Sequence, residues 1–273
     1  MGQHYLAACT IYRDAASYLA EWIEFHRLAG VERFFLYDNG STDDHRDVLA
    51  PYLEDGSATV HDWAMPFIGR RGRGRALSRA FDDCLRTHRD DARWIAFLDV
   101  DEFLFSPTGS PLTELLPEYE EHAGLCVSRA EFRSSGHRTR PEGLVIESYR
   151  HRRRVRPDDH VPVKSIVDPR RAVAALGAHT FVYREGAAVD EEGRPVDQLD
   201  ARGLKPVSWS RFRIHHYASK SEEEHESKQQ HWRSIGPVRR AGVSPPAQGG
   251  DLDETLLAYG PAVREAIERA RGR

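Results

Sequence analysis

The chain alternates between short unbroken apolar runs and longer segments in which apolar residues recur every three or four positions. The short runs are typical of strands buried on both faces of a parallel sheet, and the periodic segments predict amphipathic helices. Strands are predicted at 5–11, 33–37, 58–63, 94–98, 125–132, 161–167, 181–183 and 209–217. Helices are predicted from near Ala15 to Gly30, and at 76–85, 221–232 and 253–271. This alternation predicts an α/β fold with a mainly parallel central sheet flanked by helices.

The composition narrows the class of protein. The 273 residues include 39 Lys and Arg against 43 Asp and Glu, and no uniformly basic segment stands out, so nucleic acid is not an expected partner. Three widely separated cysteines indicate free thiols in a reducing compartment. The N-terminus has no secretory pattern and no apolar run approaches ~18 residues. We therefore expect a cytoplasmic protein without a transmembrane segment, and peripheral membrane contact stays open.

Two carboxylates, Asp99 and Asp101, follow the predicted strand 94–98 directly. Residues two apart on an extended chain point the same way, and ligands of parallel sheets bind beyond the carboxyl ends of the strands. Two adjacent anions need a cation or a proton between them, and Mg²⁺ or Mn²⁺ leaves positions free for substrate phosphates. The pair therefore predicts a metal that holds a diphosphate. A calcium loop is excluded because Phe103 and Leu104 stand where it needs Asp or Asn and then Gly. A simple turn and an aspartyl phosphotransferase remain alternatives.

A polar loop follows the strand 33–37. Asp38, at the strand's end, is a candidate acceptor of hydrogen bonds from a base or a ribose, with Asn39 and Ser41 beside it. Gly40 permits a conformation that other residues avoid. The alternative interpretation is a polar turn whose side chains cap the next helix.

Two further sets of cations are candidates for binding an anionic substrate. Residues 64–74 are rich in Gly and Arg and are predicted to form a loop, and Arg75 with its neighbours is a candidate contact to the base or the phosphates. Lys164 lies in an otherwise apolar strand, and a buried lysine needs an anion nearby, so either the substrate or a carboxylate of the protein is expected beside it.

Taken together, several short motifs resemble glycosyltransferase family 92, a GT-A family close to family 2. The matching residues are Glu21-Trp22-Ile23-Glu24-Phe25-His26, Tyr37-Asp38-Asn39-Gly40-Ser41, Leu98-Asp99-Val100-Asp101-Glu102-Phe103, Ser134-Ser135-Gly136-His137, Val163-Lys164-Ser165-Ile166-Val167, His216-Tyr217 and Lys220-Ser221. The resemblance implies a GT-A domain over 1–235, with a Pro- and Gly-rich segment and a terminal helix over 236–273 packed on the same domain. It also implies transfer of a sugar from a nucleotide donor, a UDP-sugar, to a glycan or other hydroxyl acceptor, with inversion at the anomeric carbon.

The resemblance also suggests roles for the site residues. Asp101 would bind the metal, and Asp99 would bind it through water or would bind the ribose. His216 would complete the ligand set, because imidazole suits manganese as well as oxygen-rich sites. Lys220 would neutralise the departing diphosphate.

Inversion needs a carboxylate base, for which Glu142 and Glu131 are the candidates. Glu142 is expected to open a helix, where it also forms a capping box with Thr139, and Glu131 ends the strand before it.

Two rival functions stay open. An aspartyl phosphotransferase fits poorly because the acidic pair follows the fourth strand, and a non-catalytic sugar-binding module would bind glycan without turnover.

Overall fold

The computed structural model describes residues 4–65, 69–199, 203–205, 207–234 and 250–272, with side chains except those of 69–75 and 231–234. The strands are β1 His4–Tyr12, β2 Arg33–Asp38, β3 Ala58–Asp62, β4 Ala92–Phe97, β5 Glu102–Phe105, β6 Gly124–Glu131, β7 His151–Arg152, β8 Val163–Val167, β9 Ala172–Ala175, β10 Phe181–Tyr183, β11 Ala188–Val189, β12 Arg213–His216 and β13 Asp251–Leu252. The α-helices are α1 Ala16–Leu28, α2 His45–Glu54, α3 Gly69–Thr87, α4 Leu112–Leu115, α5 Val145–Ser148, α6 Glu222–Ser234 and α7 Gly260–Arg271.

The central sheet has the strand order β3-β2-β1-β4-β8-β6-β12-β5, and β11 also pairs with β6. The block β3-β2-β1-β4 is parallel, whereas β8 runs antiparallel to both β4 and β6. In this register Tyr12 lies beside Asp38, and Cys9 lies beside Phe97. The carboxyl ends of β1, β2 and β4 therefore meet at one edge of the sheet, which is where ligands of such sheets bind.

Both faces of β1 are buried, as its unbroken apolar sequence predicts. Leu6 and Ala8 face the core on the side of α1, while Ala7 and Cys9 face the second core on the side of α3. Alternate residues of a strand point to opposite faces, so a strand between two helical layers needs apolar residues at every position. The predicted α/β architecture is confirmed.

Two differences from the sequence prediction lie next to the predicted site residues. Residues 64–74 were expected to form a loop, but α3 already begins at Gly69. Arginine favours helices, and the helix is anchored by its buried second half, so isolated glycines do not prevent it. The strand β5 was not expected either. It starts one residue after Asp101 and pairs antiparallel with β12, a partner more than 100 positions away that local patterns do not reveal.

Helix capping shows a second kind of difference. The expected capping box of Thr139 and Glu142 does not form, because residues 139–143 are not helical. The short helix α5 begins later, and its first backbone N–H groups donate to the carboxylate of Glu21 on α1, at 2.9 and 3.0 Å. Burial raises the pKa of Glu21 to about 7. In the same way, Asp43 in the loop between β2 and α2 accepts a hydrogen bond from the N–H of Ala16 and caps α1.

The C-terminal elements of the chain pack against elements described above. Strand β13 pairs antiparallel with β7, and helix α7 packs against α1. Most of the predicted Pro- and Gly-rich linker, residues 236–249, lies outside the described residues. Within the described chain, no helix combines the length and apolar character needed to cross a bilayer.

The histidine pair His61 and His88 predicts a pH-dependent stability. Their Nε2 atoms lie 2.8 Å apart, and Nδ1 of His88 lies 2.7 Å from the carboxylate of Asp91, so only one proton fits between the rings. Burial and His88 lower the pKa of His61. The unfolded chain takes up protons at the ordinary histidine pKa, so the free energy of unfolding falls as pH drops below ~6.5. Urea denaturation at pH about 5 and about 7.5 measures this fall.

The matched variants are His61→Gln, which removes one partner, and His160→Gln, which removes a histidine outside the pair. The fall should be shallower in His61→Gln and unchanged in His160→Gln. Equal pH dependence in all three proteins would contradict the prediction.

Candidate active site

A cavity of about 630 Å³ opens at the edge where β1 and β4 end. It is lined by the end of β1 and the following loop from Ile11 to Ala15, by Asp99 to Asp101, by Lys220, and by the first two turns of α6. Asp14 and Lys220 both have positive φ, 49° each, which is uncommon for residues other than glycine. Such conformations concentrate at functional sites, where the surrounding structure holds them.

The acidic segment forms a tight turn, not the extended chain that the sequence suggested. The N–H of Asp99 donates to the Glu102 carboxylate at 2.9 Å, and the Glu102 N–H donates back to the Asp99 carbonyl at 3.0 Å. Lys164, which is 1% exposed, places its ammonium 3.0 Å from Asp99 and 3.1 Å from Glu102. Arg129 binds the other oxygen of Glu102 at 2.8 Å. The anion that buried Lys164 requires is therefore this carboxylate pair.

Asp101 faces a different set of partners. Its Oδ2 lies 3.0 Å from the Lys228 ammonium on α6, and its Oδ1 lies 3.6 Å from Nε2 of His216 at the end of β12. Burial alone would raise the pKa of Asp101, but Lys228 and His216 hold this pKa well below its usual value. Asp101 is thus an ionised carboxylate beside an imidazole.

These two side chains fit part of a metal site. Carboxylate oxygen and neutral imidazole both suit Mn²⁺, and catalytic Mg²⁺ or Mn²⁺ commonly takes one or two protein ligands together with substrate phosphates. Two of the three predicted ligands, Asp101 and His216, lie together, whereas Asp99 is held by Lys164. Across the described residues, no group of three His, Cys, Asp or Glu side chains gathers at metal-binding distance. A metal bound here would therefore have two ligands from the described residues, and a donor diphosphate would supply others.

A cluster of cations lines the same cavity around the ring of Tyr18. The Lys220 ammonium lies 4.1 Å from the ring centroid, and the Arg140 guanidinium lies 4.5 Å from it. Arg140 also donates to the carbonyl of Ser17 at 3.2 Å. Together with Lys228, these residues place three positive charges on the cavity wall, beside the carboxylates that also line it.

The polar loop after β2 is held mainly by its own hydrogen bonds. Asp38 accepts from the N–H of Ser41 at 2.9 Å, and Oγ of Ser41 accepts from the N–H of Asp14 at 2.9 Å. The Asn39 amide donates to two backbone carbonyls, but its buried Oδ1 has no hydrogen-bond partner among the described residues. The same holds for the hydroxyl of Tyr12, which lines the cavity. The unused hydroxyl of Tyr12 therefore suits a polar ligand in the cavity, whereas Asn39 is not among the lining residues.

The remaining candidates lie apart from the cavity lining. Glu131 ends β6 beside His216 in register, and its carboxylate is 3.9 Å from Arg153. Glu142 is exposed on the irregular segment before α5, so its expected place at a helix start is wrong. Arg75 belongs to α3, and its side chain lies outside the described residues.

Sequence reasoning missed the parts of the site that come from distant elements. These residues are Tyr12, Tyr18, Glu102, Arg129, Arg140 and Lys228. One signal was available, because Ser221 and Glu224 form the predicted capping box and thereby fix where α6 begins. Lys228 lies four residues after Glu224, on the same side of that helix.

Comparison with known proteins assigns the class. The model of glycosyltransferase family 92 matches residues 4–236, and the chain belongs to that family. Together with the observed sheet, this confirms the predicted GT-A fold class.

Individual relatives are similar over the same part. A glycosyltransferase family 92 protein of Ricinus communis is 32% identical over 203 residues, 68% of this chain and 32% of that protein. Galactan beta-1,4-galactosyltransferase GALS2 of Arabidopsis thaliana is 30% identical over 183 residues, 62% of this chain and 34% of that protein. The chain spans about a third or less of the curated relatives it matches. Among solved structures, S. aureus TarS in complex with UDP is similar at 14% identity and a TM-score of 0.38, covering 60% of this chain and 47% of that one.

Proposed function

We propose that the protein is a metal-dependent, inverting glycosyltransferase that moves a hexose from a UDP-sugar to a hydroxyl of a glycan. The observation that supports this most is the position of Asp101. In a family 92 chain, it lies at the carboxyl end of the sheet, facing an imidazole and lining a cavity to which Arg13, Arg140, Lys220 and Lys228 also contribute. Galactose is the first sugar to test, because relatives at 30–31% identity carry the name galactan beta-1,4-galactosyltransferase.

Different residues around the cavity would bind different parts of the donor. Asp101 and His216 would hold Mn²⁺ or Mg²⁺, which when bound would neutralise the diphosphate. Lys220, Lys228 and Arg140 would bind the phosphate oxygens and stabilise the charge that develops as the sugar leaves. Asp99, fixed in place by Lys164, would bind the ribose or a metal-bound water.

The loop after β2 is the proposed nucleoside side of the site. Asp38, Asn39 and Ser41 would bind the base or the ribose, with Oδ1 of Asn39, which no described residue binds, as an acceptor. Arg75 stays a proposed contact to the base or phosphates. For the base that activates the acceptor, Glu131 and Glu142 were the sequence candidates, and neither lines the cavity.

Calorimetric titration with UDP tests the proposal, with Mn²⁺ present and then with excess EDTA. We expect UDP to bind with Mn²⁺ and at least about tenfold more weakly in EDTA, because the lost cation no longer offsets the charge of the diphosphate. The parent protein should also release UDP from UDP-galactose or another UDP-hexose.

Two outcomes would contradict parts of the proposal. Equal UDP affinity in EDTA would show that the cations of the protein suffice and that the metal is not needed. Binding of galacto-oligosaccharide without any binding of UDP would identify a sugar-binding module. Membership of family 92 argues against the aspartyl phosphotransferase interpretation.

A further inference from the structure

Five carboxylates line the cavity, and most of them have fixed partners. They belong to Asp14, Asp99, Asp101, Glu223 and Glu224. Asp99 is bound by the ammonium of Lys164, and Asp101 by that of Lys228, each at 3.0 Å. A carboxylate that is committed to a cation is a poor acceptor for a further proton, because protonation would break the ion pair.

Glu224 and Asp14 serve the structure. Glu224 accepts from the hydroxyls of Tyr18 and Tyr149, and it also accepts from the N–H and hydroxyl of Ser221. Asp14 accepts from the N–H of Thr42 at 2.7 Å and lies 3.5 Å from Arg13. Both carboxylates have lone pairs occupied by donors that hold the cavity wall together.

The carboxylate of Glu223 differs from the other four in its partners. Its Oε2 accepts one long hydrogen bond, 3.3 Å, from the backbone N–H of Arg140, and no described residue binds its Oε1. Its own N–H donates to the carbonyl of Arg138 at 3.0 Å, so the loop before α5 fixes the first turn of α6. Ser227 lies four residues further on, on the same side of the helix, and also lines the cavity.

We propose that Glu223 is the general base of the transfer reaction, an assignment that rests on the proposed function. Oε1 of Glu223 takes the proton of the acceptor hydroxyl as that oxygen attacks the anomeric carbon. The bond between this carbon and the diphosphate oxygen breaks, and its electron pair leaves with the diphosphate, whose charge Lys220 and Arg140 stabilise. The hydroxyl of Ser227 is positioned to bind the acceptor sugar. Carboxylate, acceptor and leaving group then lie in one cavity.

The test compares Glu223→Gln with Glu226→Gln. Both glutamates are exposed on the same helix, but Glu226 does not line the cavity. Release of UDP from UDP-galactose is measured with β-1,4-galactobiose and with water alone as acceptor. Removal of a general base lowers kcat by about 10²–10⁴-fold, whereas the affinity for UDP should stay within about twofold. Glu226→Gln should behave like the parent protein. Formate added to Glu223→Ala should restore part of kcat, which would not occur if Glu223 only fixed the loop.

The outcomes distinguish a failure of the proposed function from a failure of the assignment of Glu223 as the base. A parent protein that neither binds UDP nor turns over any UDP-hexose fails the proposed function itself. If the parent is active and Glu223→Gln keeps kcat within about threefold, the assignment of the base is wrong while the proposed function stands. A low kcat in Glu223→Ala that formate does not raise also overturns the assignment, because it indicates a positioning role.

Discussion

Replacement of Asp101 by asparagine is expected to lower kcat for sugar transfer by about 10²–10³-fold, the cost of removing one electrostatic group at a reacting centre. Asparagine has nearly the same shape but no negative charge, so it no longer matches Lys228 and His216, and it is a weak ligand for a hard cation. The fold should persist, because the Lys228 side chain is 34% exposed and can be hydrated when its partner is lost.

The matched control is Asp62→Asn. Asp62 ends β3 at the same edge of the sheet and pairs with Arg46, but its side chain is 81% exposed. Steady-state UDP release and thermal unfolding are measured for both variants. A kcat for Asp101→Asn within about threefold of the parent, with the fold intact, would show that Asp101 does not take part in the reaction.

Replacement of Lys164 by methionine is expected to lower the free energy of unfolding by about 3–5 kcal/mol, because it leaves buried charge without its partner. Glu102 is fully buried and Asp99 is 21% exposed, so water cannot replace the ammonium at Glu102. Arg129 still binds Glu102, but through its other oxygen. Urea denaturation of the whole chain measures the loss.

Lys205→Met provides the surface comparison. Lys205 pairs with Asp158, whose side chain is 93% exposed, and such surface pairs contribute little to stability. The triple variant with Lys164→Met, Asp99→Asn and Glu102→Gln should regain part of the stability, because the two side chains that lost the ammonium are then neutral. A loss below about 1 kcal/mol in Lys164→Met would mean that the carboxylates do not depend on this lysine.

The sheet was predictable because its strands are buried on both faces. In β1 and β4, burial by two helical layers favours apolar residues on both faces, and these residues form a continuous run that the local sequence shows. The strand β5 was not predictable, because the four residues after the acidic turn form a strand only where β12 supplies the hydrogen bonds. The glycines and arginines before Arg75 concealed a helix for a similar reason, since distant packing outweighs local preference.

The site was predictable only where its chemistry is local. Asp99 and Asp101 stand out because two carboxylates follow an apolar run, and Lys164 stands out as a charge inside one. That Lys164 would bind Asp99 and not a substrate depends on β8 lying next to β4. Arg140 has no such signal, since an exposed loop arginine looks like any other until the fold places it over Tyr18.

The order in which the chain leaves the ribosome constrains when this site can exist. The parallel block of β1 to β4 uses only the first 97 residues and makes its pairings early. Among the described strands, β5 pairs only with β12, and Asp101 meets His216 and Lys228 only after more than 100 further residues have been made. Pairings this distant along the chain are slow to form. A nascent chain that ends before residue 213 would therefore hold a formed sheet whose acidic turn has neither its strand partner nor the imidazole of His216.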